Sequence, residues 1–200
     1  MKTPMKAQDK VVCSILFAGV GGQGILRASD ILSNVIMESG LDVKKSEVHG
    51  MAQRGGCVTS HVRYGQKVYS PLTRKSDVDI LLAFEKMEAL RYLDFLKANG
   101  CVIINDQNIY PPAVNLGHVD YPSKIADTVT SSFPATKLVP AEALARKAGN
   151  IRTTNTVLLG VLSTYLPEIS LKIWEKVLDR FFTAKLLKAN KDAFFLGRSA

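Results

Sequence analysis

Two glycine-rich segments contain most of the residues in this sequence that could bind a ligand. The first is GVGGQG at residues 19–24, and the second is HGMAQRGG at residues 49–56. Glycine leaves backbone N–H groups open to a phosphate or another backbone, while Arg54 offers a planar fork of donors and Gln53 an amide. We therefore expect an anion-binding or subunit-docking surface, and no catalytic residue can be assigned. The candidate binding residues are Gly19, Gly21, Gly22, Gln23, Gly24, Glu47, His49, Gly50, Met51, Gln53, Arg54, Gly55 and Gly56.

The first segment satisfies the pattern G-x-G-x-x-G through Gly19, Gly21 and Gly24, after an apolar strand pattern and before a helical one. It is not a phosphate-binding loop of the Walker type, because no Lys-Ser/Thr pair follows. A nicotinamide dinucleotide would require an acid after the second strand, and Glu47 lies at about that distance. A glycine-rich loop follows Glu47 in place of a plain crossover helix. Three interpretations stay open: a dinucleotide site, a turn without ligand, and a contact with another anionic group or a subunit.

The other reactive residue types have structural explanations as well as functional ones. His49 could contact a carboxylate or phosphate, or cap backbone groups, and Met51 could lie at a subunit interface or in the core. His61 and His118 are predicted to be structural. Cys57 is interpreted as a small apolar residue, since no His-Asp pair near it is evident. The apolar stripe that contains Trp174 reads as core or interface of a terminal helix.

Composition limits the class of protein. The chain has 200 residues, 46% of them apolar, which predicts a single domain able to bury its own core. The formal net charge is +8, and residues 44–75 hold seven Lys or Arg against one acid, Glu47. This excess is compatible with a solvated surface, an anionic ligand, nucleic acid or an acidic protein partner. Nucleic acid is disfavoured, because no recognised binding motif accompanies the charge.

The cysteine pattern excludes a sequence-local metal or cluster site. Cys13, Cys57 and Cys101 lie far apart and form no C-x-x-C pair, which suits a reducing compartment. No apolar run reaches membrane-spanning length, and the charged N-terminus lacks a signal-peptide core. A cytoplasmic protein with no bound metal is expected.

Hydrophobic periodicity predicts alternating strands and helices. Strands are predicted at residues 11–18, 41–48, 57–64, 79–84, 101–105 and 135–139, with a hairpin joining 57–64 to 67–70 around Gly65. Helices are predicted at 25–39, 85–98, 141–148, 153–166 and 171–187, with Gly100 as the stop of the second. Residues 110–132 are predicted to be mostly loop, with room for a short strand and a helical turn. The pattern predicts an α/β fold with an open, mainly parallel Rossmann-like sheet, an inserted β-hairpin and C-terminal helices. We expect one domain over 1–200, with its core at about 11–150 and a helical segment at about 151–200.

The two glycine segments belong together in this fold, because loops leaving the carboxyl ends of the first two strands face the same crevice. Read together, GVGGQG and SEVHGMAQRGGCVTSHVR resemble the gamma-type domain of the 2-oxoacid:ferredoxin oxidoreductases. The wording EVHGMAQRGG is most similar to the indolepyruvate branch of that family. YSPL at 69–72, DILLAFEKMEALRYL at 79–93 and NTVLLG at 155–160 extend the resemblance over residues 11–187. Cys57 departs from the pattern, where the family often has Ser.

The resemblance implies oxidative decarboxylation of a 2-oxoacid with coenzyme A to acyl-CoA, CO2 and reduced ferredoxin. It places thiamine diphosphate, Mg and the 4Fe-4S clusters on a large alpha subunit, so this chain would be inactive alone and would shape the site, help to hold coenzyme A and secure the assembly. The sequence agrees, since it holds neither cluster cysteines nor a thiamine diphosphate motif. Sibling families use pyruvate, ketoisovalerate or 2-oxoglutarate, and a free-standing NAD(P)-binding oxidoreductase is the alternative from the same fold. A heteromer is expected, and self-association of the isolated chain stays open.

Overall fold

The computed structural model describes residues 12–50 and 56–200, with the side chain of His49 also left undescribed. This part of the chain forms one six-stranded sheet with helices on both faces. The strands are β1 Cys13–Val20, β2 Asp42–His49, β3 Cys57–Gly65, β4 Val78–Ala83, β5 Leu96–Asn105 and β6 Thr136–Val139. The helices are α1 Ile25–Glu38, α2 Lys86–Arg91, α3 Pro112–Asn115, α4 Ile125–Ser132, α5 Ala141–Lys147, α6 Thr154–Ser163, α7 Leu171–Phe181 and α8 Ala184–Arg198.

The sheet order is β2-β3-β1-β4-β5-β6, and β1, β4, β5 and β6 are parallel to one another. Strand β3 lies between β1 and β2 and is antiparallel to both. Tyr64 of β3 pairs with Cys13 of β1 on one side and with Val43 of β2 on the other. The mainly parallel α/β sheet is therefore confirmed. The antiparallel part consists of β2 and β3, which are joined by the second glycine segment.

The predicted hairpin between residues 57–64 and 67–70 is wrong. Both edges of β3 are already paired, one with β1 and the other with β2, so no edge is left for a further strand. Residues 66–77 instead form a loop without helix or strand. The backbone N–H of Val68 donates to the Asp42 carboxylate at 2.9 Å.

The predicted helix at 85–98 is also wrong in length, because α2 ends at Arg91 and β5 begins at Leu96. Val78 pairs with Leu96 and Ile80 with Cys101, so β5 contains an irregularity between these two pairs. Gly100 lies in this bulge, and a Cβ there would come within 2.7 Å of Leu96 and 3.2 Å of the Asp79 carbonyl. The glycine that looked like a helix stop is thus required inside a strand.

Two further helical predictions change in detail. The predicted helix at 171–187 is two helices, because Phe182 is extended between α7 and α8. The Arg27 side chain donates to the Phe181 carbonyl at 2.5 Å and lies over the Phe181 and Phe182 rings. The stretch 110–132 contains helices α3 and α4, and this described stretch contains no strand.

Each face of the sheet has its own apolar core. Helices α1, α5, α6, α7 and α8 cover one face, around Phe17, Trp174 and Phe194. Helices α2 and α4 cover the other, around Leu16, Leu81 and Val129. No helix in residues 12–50 and 56–200 is both long and apolar enough to cross a membrane.

The contact between α6 and α8 leaves no room for a side chain at its two glycines. A Cβ on Gly160 would lie 2.0 Å from the Phe194 carbonyl oxygen, and one on Gly197 would lie 2.0 Å from that of Val157. The two helix backbones therefore touch.

We predict that Gly160→Ala destabilises the protein by about 3 kcal/mol, although Ala is the better helix former. The reason is that the added methyl group must push α8 away from α6. Thr164→Ala, at the exposed end of the same helix, is the control and should change stability by less than about 1 kcal/mol. Chemical denaturation measures both variants, and equal stability of Gly160→Ala and the unchanged protein would contradict the packing described here.

Candidate functional site

The carboxyl edge of the parallel strands brings the two glycine segments together. The Gly21 N–H donates to the Gly56 carbonyl at 2.9 Å, and the Gly50 N–H donates to the Cys57 carbonyl at 2.8 Å. The segment GVGGQG and the described ends of the second segment therefore lie next to each other, as predicted. Met51, Gln53, Arg54 and Gly55 lie outside the described residues, and His49 is described only as the last backbone position of β2.

Glu47 is displaced from the place that a dinucleotide-binding acid would take. The fingerprint requires the acid on the strand that follows β1 and neighbours it, but β3 lies between β1 and β2 here. One strand spacing of about 5 Å is thereby added between Glu47 and the glycine turn. Glu47 also forms an ion pair with Lys45 at 2.5 Å, and Lys45 contacts Asp30 on α1.

Gln23 is a structural clamp at this edge. Its Oε1 accepts the Val20 N–H at 2.7 Å, and its Nε2 donates to the Phe84 carbonyl at 2.9 Å and to Gln107 Oε1 at 3.2 Å. Asn105 Nδ2 donates to the same two acceptors, each at 3.1 Å. The ends of β1, β4 and β5 are thus joined through side-chain amides, and both ends of the Gln23 amide are occupied by the protein.

The glycines of the first segment have separate roles. A Cβ on Gly19 would come within 2.8 Å of Ile25 and Phe84, so this position is closed by packing. Gly24 has φ 78° and lies against Asn155, whose Nδ2 donates to the Gly24 carbonyl at 3.3 Å. Gly22 has φ 103° and nothing within 4 Å of an added Cβ, so it faces open space. The turn therefore leaves Gly22 as its accessible point.

A cavity of about 420 Å³, which we call the α6 crevice, opens between this turn and the beginning of α6. Neither α1 nor α6 has a side-chain hydrogen bond at its N-cap or an acid in its first turn. At the beginning of α6 the N–H groups are already used, since Asn150 Oδ1 accepts the Arg152 N–H at 3.0 Å and the Thr154 N–H donates to the Ile151 carbonyl. The N-terminus of α1 is therefore the helix end that favours an anion here. The crevice is lined by Gly22, Gln23, Gly24, Phe84, Asn105, Gln107, Glu142, Ile151, Arg152, Thr154 and Asn155.

The floor of the α6 crevice holds an unused acceptor. Asn105 is 1% exposed, and its Oδ1 has no hydrogen-bond partner. A buried polar atom without a partner is energetically unfavourable, so a ligand N–H or O–H that reached it would be stabilised. Arg152 at the rim supplies a positive charge. The crevice therefore suits a ligand with an anionic group and a hydrogen-bond donor.

A second cavity of about 330 Å³, the α2 crevice, lies on the other side of the β1 end. Here the Cys57 thiol donates to Glu88 Oε2 at 2.9 Å, and its sulfur lies 2.9 Å from the Tyr92 hydroxyl. Glu88, which is 3% exposed, also pairs with Arg91 Nε at 3.0 Å. Burial, followed by the neighbouring Glu88, raises the pKa of Cys57 to about 11. The side chain is thus a thiol at neutral pH, which argues against a nucleophile.

The remaining candidates have structural partners. His61 is buried, and its ring contacts Thr73 and Phe95. Burial lowers the pKa of His61 and keeps the ring neutral. Trp174 is fully buried against Phe194, as expected for a core position.

The sequence does not predict Asn105, Gln107 or Arg152 as binding residues, and it includes Asn155 only in the motif NTVLLG. Asn105 ends β5, and a polar residue after an apolar strand run was the available signal for it. Within residues 12–50 and 56–200, no group of three or more His, Cys, Asp or Glu side chains could hold a metal ion.

Residues 14–200 match the family described as pyruvate ferredoxin/flavodoxin oxidoreductase, and the chain belongs to that family. It is 40% identical over 192 residues to the indolepyruvate oxidoreductase subunit IorB of Pyrococcus horikoshii, covering 94% of this chain and 95% of that protein.

Two solved structures share the fold. The pyruvate oxidoreductase subunit PORC of Thermotoga maritima has a TM-score of 0.72 at 20% identity, with 94% of this chain and 96% of that one covered. The 2-oxoglutarate:ferredoxin oxidoreductase of Magnetococcus marinus, solved with 2-oxoglutarate, coenzyme A and succinyl-CoA bound, also has a TM-score of 0.72, at 24% identity. The match covers 96% of this chain and 31% of that longer one.

Glu85, at the base of the α2 crevice, generates a pH-dependence prediction. Burial raises the pKa of its carboxyl group, even though the Met87 and Glu88 N–H groups donate to it. The folded state binds this proton more tightly than the unfolded state does. The proton on Glu85 therefore makes its full contribution to the free energy of unfolding at pH values below the ordinary pKa of 4.5. It is lost as the pH rises through the raised folded value.

We predict that Glu85→Gln removes this component of the pH dependence. The free energy of unfolding of the variant minus that of the unchanged protein should increase with pH across the window above 4.5 and then become constant. The change in hydrogen bonding between the carboxyl and the amide side chain adds a difference in the free energy of unfolding that does not depend on pH. Urea denaturation at a series of pH values measures the difference, and a difference independent of pH would refute the assignment to Glu85.

Proposed function

We propose that this chain is the small subunit of an indolepyruvate-type 2-oxoacid:ferredoxin oxidoreductase in the cytoplasm. The complex decarboxylates an aryl pyruvate and transfers the acyl group to coenzyme A, while the two electrons reduce ferredoxin. The products are acyl-CoA, CO2 and reduced ferredoxin. Family membership, the 40% identity to an indolepyruvate oxidoreductase subunit and the EVHGMAQRGG segment support this proposal.

The observation that carries the proposal is the joining of the two glycine segments beside a crevice built for an anionic ligand. In this reading the N-terminus of α1, with Arg152, holds phosphate groups of coenzyme A. The backbone at Gly22 leaves space for the approach. Arg54, with the rest of the second glycine segment, contributes further donors.

The reaction chemistry belongs to a large partner subunit that carries thiamine diphosphate, Mg and 4Fe-4S clusters. The three cysteines of this chain are separate free thiols on β1, β3 and β5. Burial raises the pKa of each to about 11, which disfavours the thiolate form that a cluster requires. This chain binds and orients coenzyme A, closes one wall of the site and forms part of the heteromer.

The proposal is tested by reconstitution. We predict that the purified chain alone is colourless and inactive, and that oxidation of indolepyruvate appears when the large subunit is added, with coenzyme A and ferredoxin present. Pyruvate, ketoisovalerate and 2-oxoglutarate, measured in parallel, decide the substrate class. Decarboxylation by the chain alone, or tight binding of NADH to it, would overturn the proposal in favour of a free-standing oxidoreductase.

Two arginines allow a sharper test of the coenzyme A contact. We predict that Arg54→Ala and Arg152→Ala each weaken coenzyme A binding to the complex by about 1.5–3 kcal/mol, because a charge-assisted hydrogen bond is lost. Arg180→Ala is the matched control, since that exposed arginine pairs with Glu38 and neither residue lines the α6 crevice. A coenzyme A titration measures the effect, and thermal unfolding checks that the variants fold. Reduced thermal stability with unchanged coenzyme A affinity would assign both arginines to structure.

A further inference from the structure

Asn155, in the first turn of α6, contacts the residue that precedes α1. Its side chain is 9% exposed, and its Nδ2 donates to the Gly24 carbonyl at 3.3 Å across 131 positions of sequence. The two residues are closely packed, because a Cβ on Gly24 would lie 2.8 Å from the same Nδ2. One side-chain amide of α6 therefore reaches the backbone turn from which α1 starts.

The Gly24 carbonyl takes part in setting the direction in which α1 begins. It accepts the Ala28 N–H at 3.0 Å, which is the hydrogen bond that closes the first turn of the helix. The N–H groups before Ala28 have no carbonyl within their own helix, and they form the positive end of the helix dipole. A carbonyl oxygen can accept two hydrogen bonds, so the Asn155 amide is a second donor that restricts the rotation of this turn.

Hydrogen bonds to α8 hold the beginning of α6 in place. Thr156 is fully buried and its hydroxyl donates to Asn190 Oδ1 at 2.7 Å, while Asn190 Nδ2 donates to the Leu186 carbonyl at 2.9 Å. The Thr156 hydroxyl oxygen also lies 3.4 Å from Asn155 Oδ1. Buried polar groups are costly unless they are bonded, and here they bond to one another. Asn155 is thus carried by a helix end that is itself fixed.

Helix formation and packing give no reason for an amide at position 155. Residues 157–162 of α6, VLLGVL, are apolar and buried. Asparagine is a weaker helix former than leucine, so leucine at position 155 would favour the helix. The amide supplies one thing that leucine lacks, which is the N–H donated to Gly24.

We propose that Asn155 is a positioning residue for the anion site: it holds the Gly24 carbonyl so that the N-terminus of α1 faces the α6 crevice. Gln23 fixes the start of the same turn at Val20, and Asn155 fixes its end at Gly24. Asn155 acts through the backbone of the turn and not on the ligand itself. This inference rests on the proposed function, because it takes the anionic ligand of the crevice to be coenzyme A.

The first test is a coenzyme A titration of the reconstituted complex with Asn155→Leu, which keeps the volume of the side chain and removes its donor. The KM for coenzyme A should rise about 10-fold, as expected for one lost hydrogen bond. The kcat at saturating coenzyme A and the KM for indolepyruvate should stay within about twofold, because the change is confined to the anion site. If Asn155→Leu does not fold, Asn155→Ala, which only shortens the side chain, is measured with the same expected results.

Hydrogen exchange of the full chain without coenzyme A gives a second readout. The Ala28 amide, which donates to Gly24, should exchange about 10-fold faster in Asn155→Leu, because the turn opens more often. A residue that contacts only the ligand would leave this exchange rate unchanged.

Ser163→Ala is the matched control on the same helix. Ser163 is 2% exposed, and its hydroxyl donates to the Gly160 carbonyl at 2.6 Å and accepts from Arg198 Nη1 at 2.7 Å. The substitution therefore loosens the contact between α6 and α8 without touching Gly24. It should lower the melting temperature and leave both the KM for coenzyme A and the exchange of Ala28 unchanged.

The possible outcomes separate this inference from its alternatives. An equal rise of the KM for coenzyme A in Ser163→Ala would overturn it, since general loosening of α6 would explain both variants. A raised KM in Asn155→Leu with unchanged Ala28 exchange would make Asn155 a direct ligand contact and refute the positioning role. An unchanged KM in Asn155→Leu, while Arg152→Ala still weakens coenzyme A binding, refutes this inference and leaves the proposed function standing. If the unchanged complex does not depend on coenzyme A, the proposed function fails and this inference fails with it.

Discussion

The arrangement at the carboxyl edge depends on one side-chain amide. Gln23 occupies its oxygen with the Val20 N–H and its nitrogen with acceptors from Phe84 and Gln107. These three partners lie at the carboxyl ends of three different strands, so the amide fixes the position of the turn after β1 relative to β4 and β5. A carboxylate could not make this pattern, because two of the three partners are acceptors. The position of Gly22, the beginning of α1 and the floor of the α6 crevice all follow from this contact.

The second constraint is the insertion of β3 between β1 and β2. A strand that neighbours β1 in a dinucleotide-binding fold would carry the acid for the ribose, and here that neighbour runs in the opposite direction. Gly56, directly before β3, therefore accepts a hydrogen bond from Gly21 of the glycine turn, and Glu47 is moved outward. The same G-x-G-x-x-G spacing consequently serves a different surface. Sequence spacing alone could not separate these cases, because it does not specify which strand pairs with β1.

The sequence predicted the parts of the fold that depend on local pattern. The apolar run of β1, the 3.6-residue period of α1 and the meeting of the two glycine segments are all present. The errors arose where tertiary pairing decides the structure. Gly100 resembled a helix stop but lies in a strand bulge, and residues 67–70 resembled a strand but had no free edge to join. Asn105 and Arg152 are far apart in sequence, so their shared crevice could not be foreseen.

The electrostatics of this edge favour binding over chemistry. Burial raises the pKa of Cys57 and Tyr92, so both retain their protons and act as donors within the α2 crevice. Glu88 accepts a hydrogen bond from the Cys57 thiol and forms an ion pair with Arg91. The α6 crevice, by contrast, keeps the N-terminus of α1 without a side-chain cap and the unpartnered Asn105 oxygen. The proposed function gives a reason for protonated thiols at this edge: if this chain positions a coenzyme for chemistry on a partner, a reactive thiolate beside the ligand would compete with the partner's cofactor for the acyl group.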